Sequence, residues 1–153
     1  MKPVSFRVGI LAALMSGFYC GKFVGVMVTA SHNPIEDNGV KLVDPNGEMV
    51  SEKWEIYAAK LANASNDNNE LGKAIEEIIN ELKIDTNSES INVAFARDTR
   101  PSGKELCDAI DFGVKVVKAS AKCVDLNLMT TPQLHYAIRE LNLKNTCSSY
   151  IED

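Results

Sequence analysis

Residues 28–41 read Val-Thr-Ala-Ser-His-Asn-Pro-Ile-Glu-Asp-Asn-Gly-Val-Lys. A serine hydroxyl, an imidazole and a lysine amine gather around one bend. A serine such as Ser31 can carry a phosphoryl group through a covalent intermediate. Phosphoserine holds about −1.5 to −2 charges near neutral pH and needs cations around it. His32 is adjacent, and Lys41 returns to the same edge if Asn38-Gly39 forms a tight turn. A divalent cation would complete the neutralisation, since Mg²⁺ takes phosphate oxygens plus a few carboxylates. A simpler reading stands beside this one. Asn33-Pro34-Ile35-Glu36 has the N-cap, N1 and N3 pattern of a one-turn helix start. A Ser-His-Asp hydrolase fits less well. There is no G-x-S-x-G elbow, and adjacent Ser and His side chains rarely face each other. His135, the other histidine, falls inside a predicted helix and reads as a helix-surface or packing residue.

A second cluster of charge is Arg97-Asp98-Thr99-Arg100. Its plain reading is ion pairing with Asp98 or nearby acids. Guanidinium forks also match phosphate oxygens. This turn, the Ala30–Gly39 loop and Met129-Thr130-Thr131 each follow a predicted strand. If those strands are parallel neighbours, all three loops share the carboxyl edge of one sheet, where ligands collect. The last two lead into helix N-termini, which favour anions.

The elements that must hold these loops follow from hydrophobic pattern and punctuation. Val4, Val8, Leu11, Leu14/Met15 and Phe18 recur every three or four residues, so the first segment reads as an amphipathic core-facing helix with Pro3 in its first turn. That reading displaces a signal peptide. Phe23–Thr29 and Val40–Val43 are predicted strands. Asp44-Pro45-Asn46-Gly47 is a turn, with Glu48–Val50 as a short return arm. A helix runs from Ser51 to about Asn63, where Trp54 and Tyr57 read as packing residues. Asn63–Glu70 is a polar loop, and its Asn63-Ala64-Ser65 glycosylation match is a chance motif. Leu71–Leu82 is a helix with Glu76, Glu77 and Glu81 on its solvated face. Asp85–Ser90 is a connector. Ile91–Ala96 is a strand, Ser102-x-x-Glu105 a capping box that opens a helix, and Cys123–Leu128 a strand. Thr131-Pro132 is an N-cap and first position of the last helix. Strand, helix, strand, helix at this spacing predicts a right-handed βαβ unit in a mostly parallel sheet.

The chain has 153 residues, 45% apolar and 24% charged, with a formal net charge of −5. That suits a single globular α/β unit and argues against a surface built for nucleic acid or anionic membrane. No apolar run reaches membrane-spanning length. The four cysteines, Cys20, Cys107, Cys123 and Cys147, have no C-x-x-C pairing. They read as buried thiols in a reducing, cytoplasmic compartment.

Two segments carry a family resemblance. Thr29-Ala30-Ser31-His32-Asn33-Pro34 with Asn38-Gly39-Val40-Lys41 resembles the phosphoserine loop of the α-D-phosphohexomutases. Ala96-Arg97-Asp98-Thr99-Arg100-Pro101-Ser102 resembles the arginine turn of the same superfamily. Most members place the arginine turn first, whereas here the serine loop precedes it. That order, with Val43–Met49 and the Leu128–Tyr136 segment, is similar to the branch that interconverts N-acetylglucosamine 6-phosphate and 1-phosphate for UDP-N-acetylglucosamine synthesis.

The resemblance implies an incomplete first domain: an α/β fold with a mostly parallel mixed sheet flanked by helices and an antiparallel edge strand. Residues 1–153 would form one such domain lacking its first strand. Its Asp-rich metal loop, sugar loop and C-terminal phosphate loop would be absent. Ser31, His32 and Lys41 would be catalytic, and Asn33, Arg97 and Arg100 would contact phosphate. The phosphate on Ser31 would supply one Mg²⁺ ligand, the rest lying outside this chain. A glucose- or N-acetylglucosamine-type bisphosphate would be the intermediate or activator. The partner would be a phosphosugar, with neither nucleic acid nor membrane, and exposed edges could promote self-association. The chain by itself would be inactive. The alternatives are a phosphohexomutase of another sugar preference, of phosphoglucomutase or phosphomannomutase type, and a binding fragment without chemistry.

Overall fold

A computed structural model describes residues 1–65, 67–87 and 90–147. The Cys147 side chain and residues 88–89 of the connector lie outside the described residues. The elements are α1 (Lys2–Phe18), β1 (Phe23–Val28), β2 (Val40–Val43), α2 (Lys53–Asn63), α3 (Asn68–Leu82), β3 (Asn92–Arg97), α4 (Gly103–Val117), β4 (Lys122–Leu128) and α5 (Thr131–Cys147). The sheet order is β2-β1-β3-β4. β1, β3 and β4 are parallel neighbours, and β2 returns antiparallel beside β1 as an edge strand. The mostly parallel mixed sheet with an antiparallel edge strand is therefore present.

Alternation along the strands sends side chains to two helical layers. Val24, Val26, Val28, Val93 and Phe95 pack under α1, α2, α3 and α4. Phe23, Met27, Ala94 and Ala96 pack under α5, against Leu134 and Ile138. β1 is buried along its whole length, because it lies inside the sheet and is covered on both faces.

α1 differs from the amphipathic reading. Residues 9–17 are all buried, while Val4 is 50% exposed. Its small residues let neighbours close in on several sides at once. Gly9 faces the Ile110 carbonyl, and Gly113 of α4 faces the Phe6 carbonyl. A Cβ on Gly113 would stand 2.0 Å from that oxygen. The two helices meet through this reciprocal pair.

The helix starts also differ in detail. Ser102 makes no side-chain cap on α4. Its backbone is already helical, and its hydroxyl accepts from Asn38 Nδ2 at 3.0 Å. At α5 the helix begins at Thr131, one residue earlier than expected, and Gln133 Oε1 accepts from the Thr130 N–H at 2.8 Å. This is the reciprocal half of a capping box. α3 begins at Asn68, inside the stretch read as loop, because Asp67 caps it by accepting from the Asn69 N–H. The Asp44–Gly47 turn forms as expected, with Gly47 at φ 79° and the Val43–Met49 bridge closing the return arm. His135 Nδ1 lies 2.8 Å from the Gly47 carbonyl, so it ties α5 to this turn. Trp54 is buried among Phe18, Tyr19 and Tyr57. Among the described residues no helix is long and apolar enough to cross a membrane.

Candidate active site

The carboxyl ends of β1, β3 and β4 lie side by side, and the three candidate loops leave from them. The Ser31 loop is closed at its base, where the Thr29 N–H donates to the Gly39 carbonyl at 2.9 Å. Within it the Asn33 N–H donates to the Ala30 carbonyl and the Asp37 N–H to the Pro34 carbonyl. These are two successive turns and not a helix. Asn38-Gly39 is not the tight hairpin turn expected, since neither residue has positive φ. Gly39 is needed for a different reason: a Cβ there would stand 3.0 Å from the Thr29 carbonyl oxygen. Asn38 closes the loop by accepting from the Gly39 N–H and donating to Ser102.

Residues 31–37 are all exposed. Ser31 has φ +53°, in the left-handed region that serine rarely adopts. Two sets of bonds hold it there. Its N–H donates to Thr29 Oγ1 at 3.1 Å, and Thr29 Oγ1 donates to Asp98 Oδ2 at 2.8 Å. On the other side, Arg100 Nη2 donates to the carbonyls of Ser31 (3.4 Å) and Asn33 (2.8 Å). Arg100 Nη1 pairs with Asp98 Oδ2, and the Arg100 N–H donates to Asp98 Oδ1 at 3.0 Å. Burial pushes the Asp98 carboxyl up. The Arg100 N–H, the Thr29 hydroxyl and the Arg100 guanidinium outweigh burial and hold it below the usual aspartate value.

The predicted site residues thus divide. Ser31, His32 and Asn33 share the exposed loop. Lys41 stands opposite Met27, at the same end of the sheet and on its α5 side. Arg100 grips the loop through backbone carbonyls. Arg97 turns to the α4 side instead. Its guanidinium donates to both Asp125 oxygens, at 2.9 and 3.1 Å. The plain ion-pair reading therefore describes both arginines in this conformation. Thr29 and Asp98 do as much to shape the loop as any residue singled out from the sequence. The Asp-x-Arg spacing is the signal that could have found Asp98, since it suits a side chain bonding the backbone two residues on.

Among the described residues, no group of three or more His, Cys, Asp and Glu is placed to hold a metal ion. The Asp98 carboxylate is occupied by Thr29 and Arg100. A groove of about 470 Å³ between α1 and α2, lined by residues such as Val4, Arg7, Leu11 and Leu61, shares no residue with the serine loop.

Fold and site together define an α/β/α domain that displays one braced, exposed serine beyond the carboxyl ends of its parallel strands. The family model for phosphoglucomutase/phosphomannomutase, alpha/beta/alpha domain I, matches residues 6–68 and 58–149, and the chain belongs to that family. It is 50% identical over 147 residues to the phosphoacetylglucosamine mutase of Candida albicans, covering 91% of this chain and 27% of that protein. It is 43% identical over 157 residues to the Arabidopsis thaliana enzyme, covering 100% and 28%. A crystal structure of N-acetylglucosamine-phosphate mutase in its product complex superposes with a TM-score of 0.89 at 49% identity, covering 94% of this chain and 26% of that one. The Aspergillus fumigatus N-acetylphosphoglucosamine mutase in complex with GlcNAc-6P and magnesium superposes with a TM-score of 0.84 at 44% identity, covering 94% and 26%. The chain spans about a quarter of the length of these relatives.

Proposed function

We propose that this chain is the phosphoserine-bearing part of a phosphosugar mutase acting between N-acetylglucosamine 6-phosphate and N-acetylglucosamine 1-phosphate. The observation that carries this reading is the exposed Ser31, held out on a braced loop at the carboxyl edge of the parallel strands. The likeness to phosphoacetylglucosamine mutases supports the choice of sugar.

The phosphoryl group on Ser31 Oγ passes to a free hydroxyl of the sugar phosphate. The P–O bond to serine breaks, one to the sugar oxygen forms, the sugar hydroxyl gives up its proton and Ser31 Oγ regains one. The bisphosphate then returns its other phosphoryl to Ser31. In this reading His32 and Lys41 stabilise phosphoryl charge, and Lys41 is the proton-transfer group. Arg100 shapes the loop, and Arg97, whose Nη1 is held by Asp125, would offer its remaining N–H donors to phosphate. Mg²⁺ would be held in part by the phosphate on Ser31 and would neutralise phosphoryl charge. The product would feed UDP-N-acetylglucosamine synthesis. A reducing cytoplasm is supported by the unpaired Cys20, Cys107 and Cys123. Self-association would use the open edges of β2 or β4.

Intact-mass spectrometry of the chain purified from cells, or incubated with α-D-glucose 1,6-bisphosphate and Mg²⁺, tests the carrier role. We expect one phosphate, lost in Ser31→Ala. A phosphate that persists in Ser31→Ala sinks the assignment. In a coupled mutase assay the chain alone should turn over at least about 10³-fold slower than a whole relative, because substrate positioning carries that much or more of the rate. Near-full turnover would show that this chain holds the entire site.

A further inference from the structure

We propose that Thr29 and Asp98 are positioning residues that lock the backbone of Ser31 so that its hydroxyl presents a phosphoryl group in one orientation. The proposal rests on the carrier role of Ser31 given above and extends it to two residues outside the serine motif's reactive groups.

The direction of these hydrogen bonds follows from which groups can donate. An ionised carboxylate only accepts, and a threonine hydroxyl has a single proton to give. Asp98 Oδ2, 2.8 Å from Thr29 Oγ1, takes that proton. The oxygen of Thr29 is thereby left to accept, and its partner is the Ser31 N–H at 3.1 Å. Asp98 thus holds the Thr29 hydroxyl proton away from Ser31, so that the Thr29 oxygen presents a lone pair to the Ser31 N–H. The peptide unit after Ser31 is held by Arg100, whose Nη2 donates to the carbonyls of Ser31 and Asn33 while its Nη1 pairs with Asp98, so Asp98 supports both sides of Ser31. With both flanking peptide units held, the Cα–Cβ direction of Ser31 is set and only χ1 remains free.

Such bracing has something to oppose. Left-handed backbone at a non-glycine residue is strained and persists only where the surroundings over-determine it. An exposed loop of two turns would otherwise relax. The device also solves an electrostatic problem. A carboxylate beside a phosphoserine repels it, but Asp98 is paired with Arg100, whose side chain is only 11% exposed. The pair is close to neutral as a unit, so Asp98 can orient the loop without opposing the phosphoryl charge.

The test uses ¹⁵N-labelled full chain and three variants. Thr29→Val keeps the shape of the side chain and removes the relay, Thr29→Ser keeps the hydroxyl, and Asp98→Asn removes the obligatory acceptor. Amide exchange at Ser31 should quicken about tenfold in Thr29→Val and Asp98→Asn, the effect of losing one hydrogen bond. In Thr29→Ser it should stay within about threefold of wild type. The amides of Val26 and Val28 report whether β1 itself has loosened, and they should not change. Ser31 phosphate occupancy after incubation with α-D-glucose 1,6-bisphosphate and Mg²⁺ should fall at least tenfold in the first two variants and recover in Thr29→Ser. Unchanged Ser31 exchange, or wild-type occupancy, in Thr29→Val overturns the proposal. If the wild-type chain takes no phosphate while Ser31 exchange still responds, the carrier role fails and the bracing stands.

Discussion

Ser31 sits in a backbone conformation that costs energy, and the residues around it meet that cost with directed hydrogen bonds. Asp98 is central to the arrangement, accepting from Thr29, from the Arg100 N–H and from the Arg100 guanidinium. Its carboxyl is held below the ordinary aspartate range, so its ionised form stabilises the fold. The contribution is complete above the unfolded-state value of about 3.9, and it is lost as pH falls through the lower native value. Asp98→Asn should therefore melt below wild type at pH 7, by about 1–3 kcal/mol for the charged hydrogen bonds removed. The gap should close on acidification below about pH 4. Melting curves of both proteins between pH 7 and pH 2.5 check this, and a gap independent of pH would show that Asp98 acts through shape alone. Serine, histidine and lysine were visible as reactive groups from their types. The roles of Thr29 and Asp98 were not, because 69 positions separate them in sequence and the bond exists only once β1 and β3 pair.

At the scale of elements, the glycines of α1 and α4 decide how the helical layer sits on the sheet. In most helices a Gly→Ala change is favourable by about 1 kcal/mol. Gly113→Ala should do the opposite, because its Cβ would stand 2.0 Å from the Phe6 carbonyl oxygen and force the helices apart. Overpacking of this kind costs about 1–3 kcal/mol, or roughly 2–12 °C in Tm for a chain of this size. Thermal denaturation followed by circular dichroism would show it, and an unchanged or raised Tm would mean the helices can separate freely. α5 is anchored in a comparable way. The buried Asn142 side chain accepts from the Phe23 N–H and donates to the carbonyls of Phe23 and Pro45. An asparagine in a helix reads as surface from sequence, and only docking against the start of β1 and the Asp44–Gly47 turn gives it this role. Strand positions were more legible. Predicted and observed bounds of all four strands agree within a residue or so, since short apolar runs between Gly, Pro and Asn leave few alternatives.

For the molecule as a whole, burial sorts the cysteines in a way their spacing does not. Cys20 is exposed, contrary to its reading as a buried thiol, because it follows the end of α1 in the Tyr19–Gly21 turn at positive φ. Cys107 is buried and Cys123 partly so. Burial first, and then the Asp125 charge, push the Cys107 thiol up to about 11. Burial and a hydrogen bond with Asp111 push Cys123 up to about 12. Thiolate is the reactive form. At pH 8 iodoacetamide should therefore label Cys20 at least about tenfold faster than Cys107 or Cys123, with the three converging in denaturant. Peptide mass spectrometry reads each site, and equal labelling of folded protein would mean that α4 opens readily. Because both thiols have raised native values, their neutral forms favour the fold below about pH 8.5, and that contribution is lost progressively as pH rises above it.

The sequence by itself determined the α/β class, the strand positions, the serine loop and its family, because these rest on local pattern and on residues close together in the chain. The tertiary structure alone decided which side chains meet. It sent Arg97 to Asp125 and Arg100 to the serine loop, although the two stand three residues apart in one turn. Arg97 is still in β3 and follows the alternation of that strand toward α4, while Arg100 lies beyond the strand end and is free to turn back over the loop. It likewise joined Thr29 to Asp98, since only the parallel pairing of β1 and β3 brings their carboxyl ends into hydrogen-bond reach.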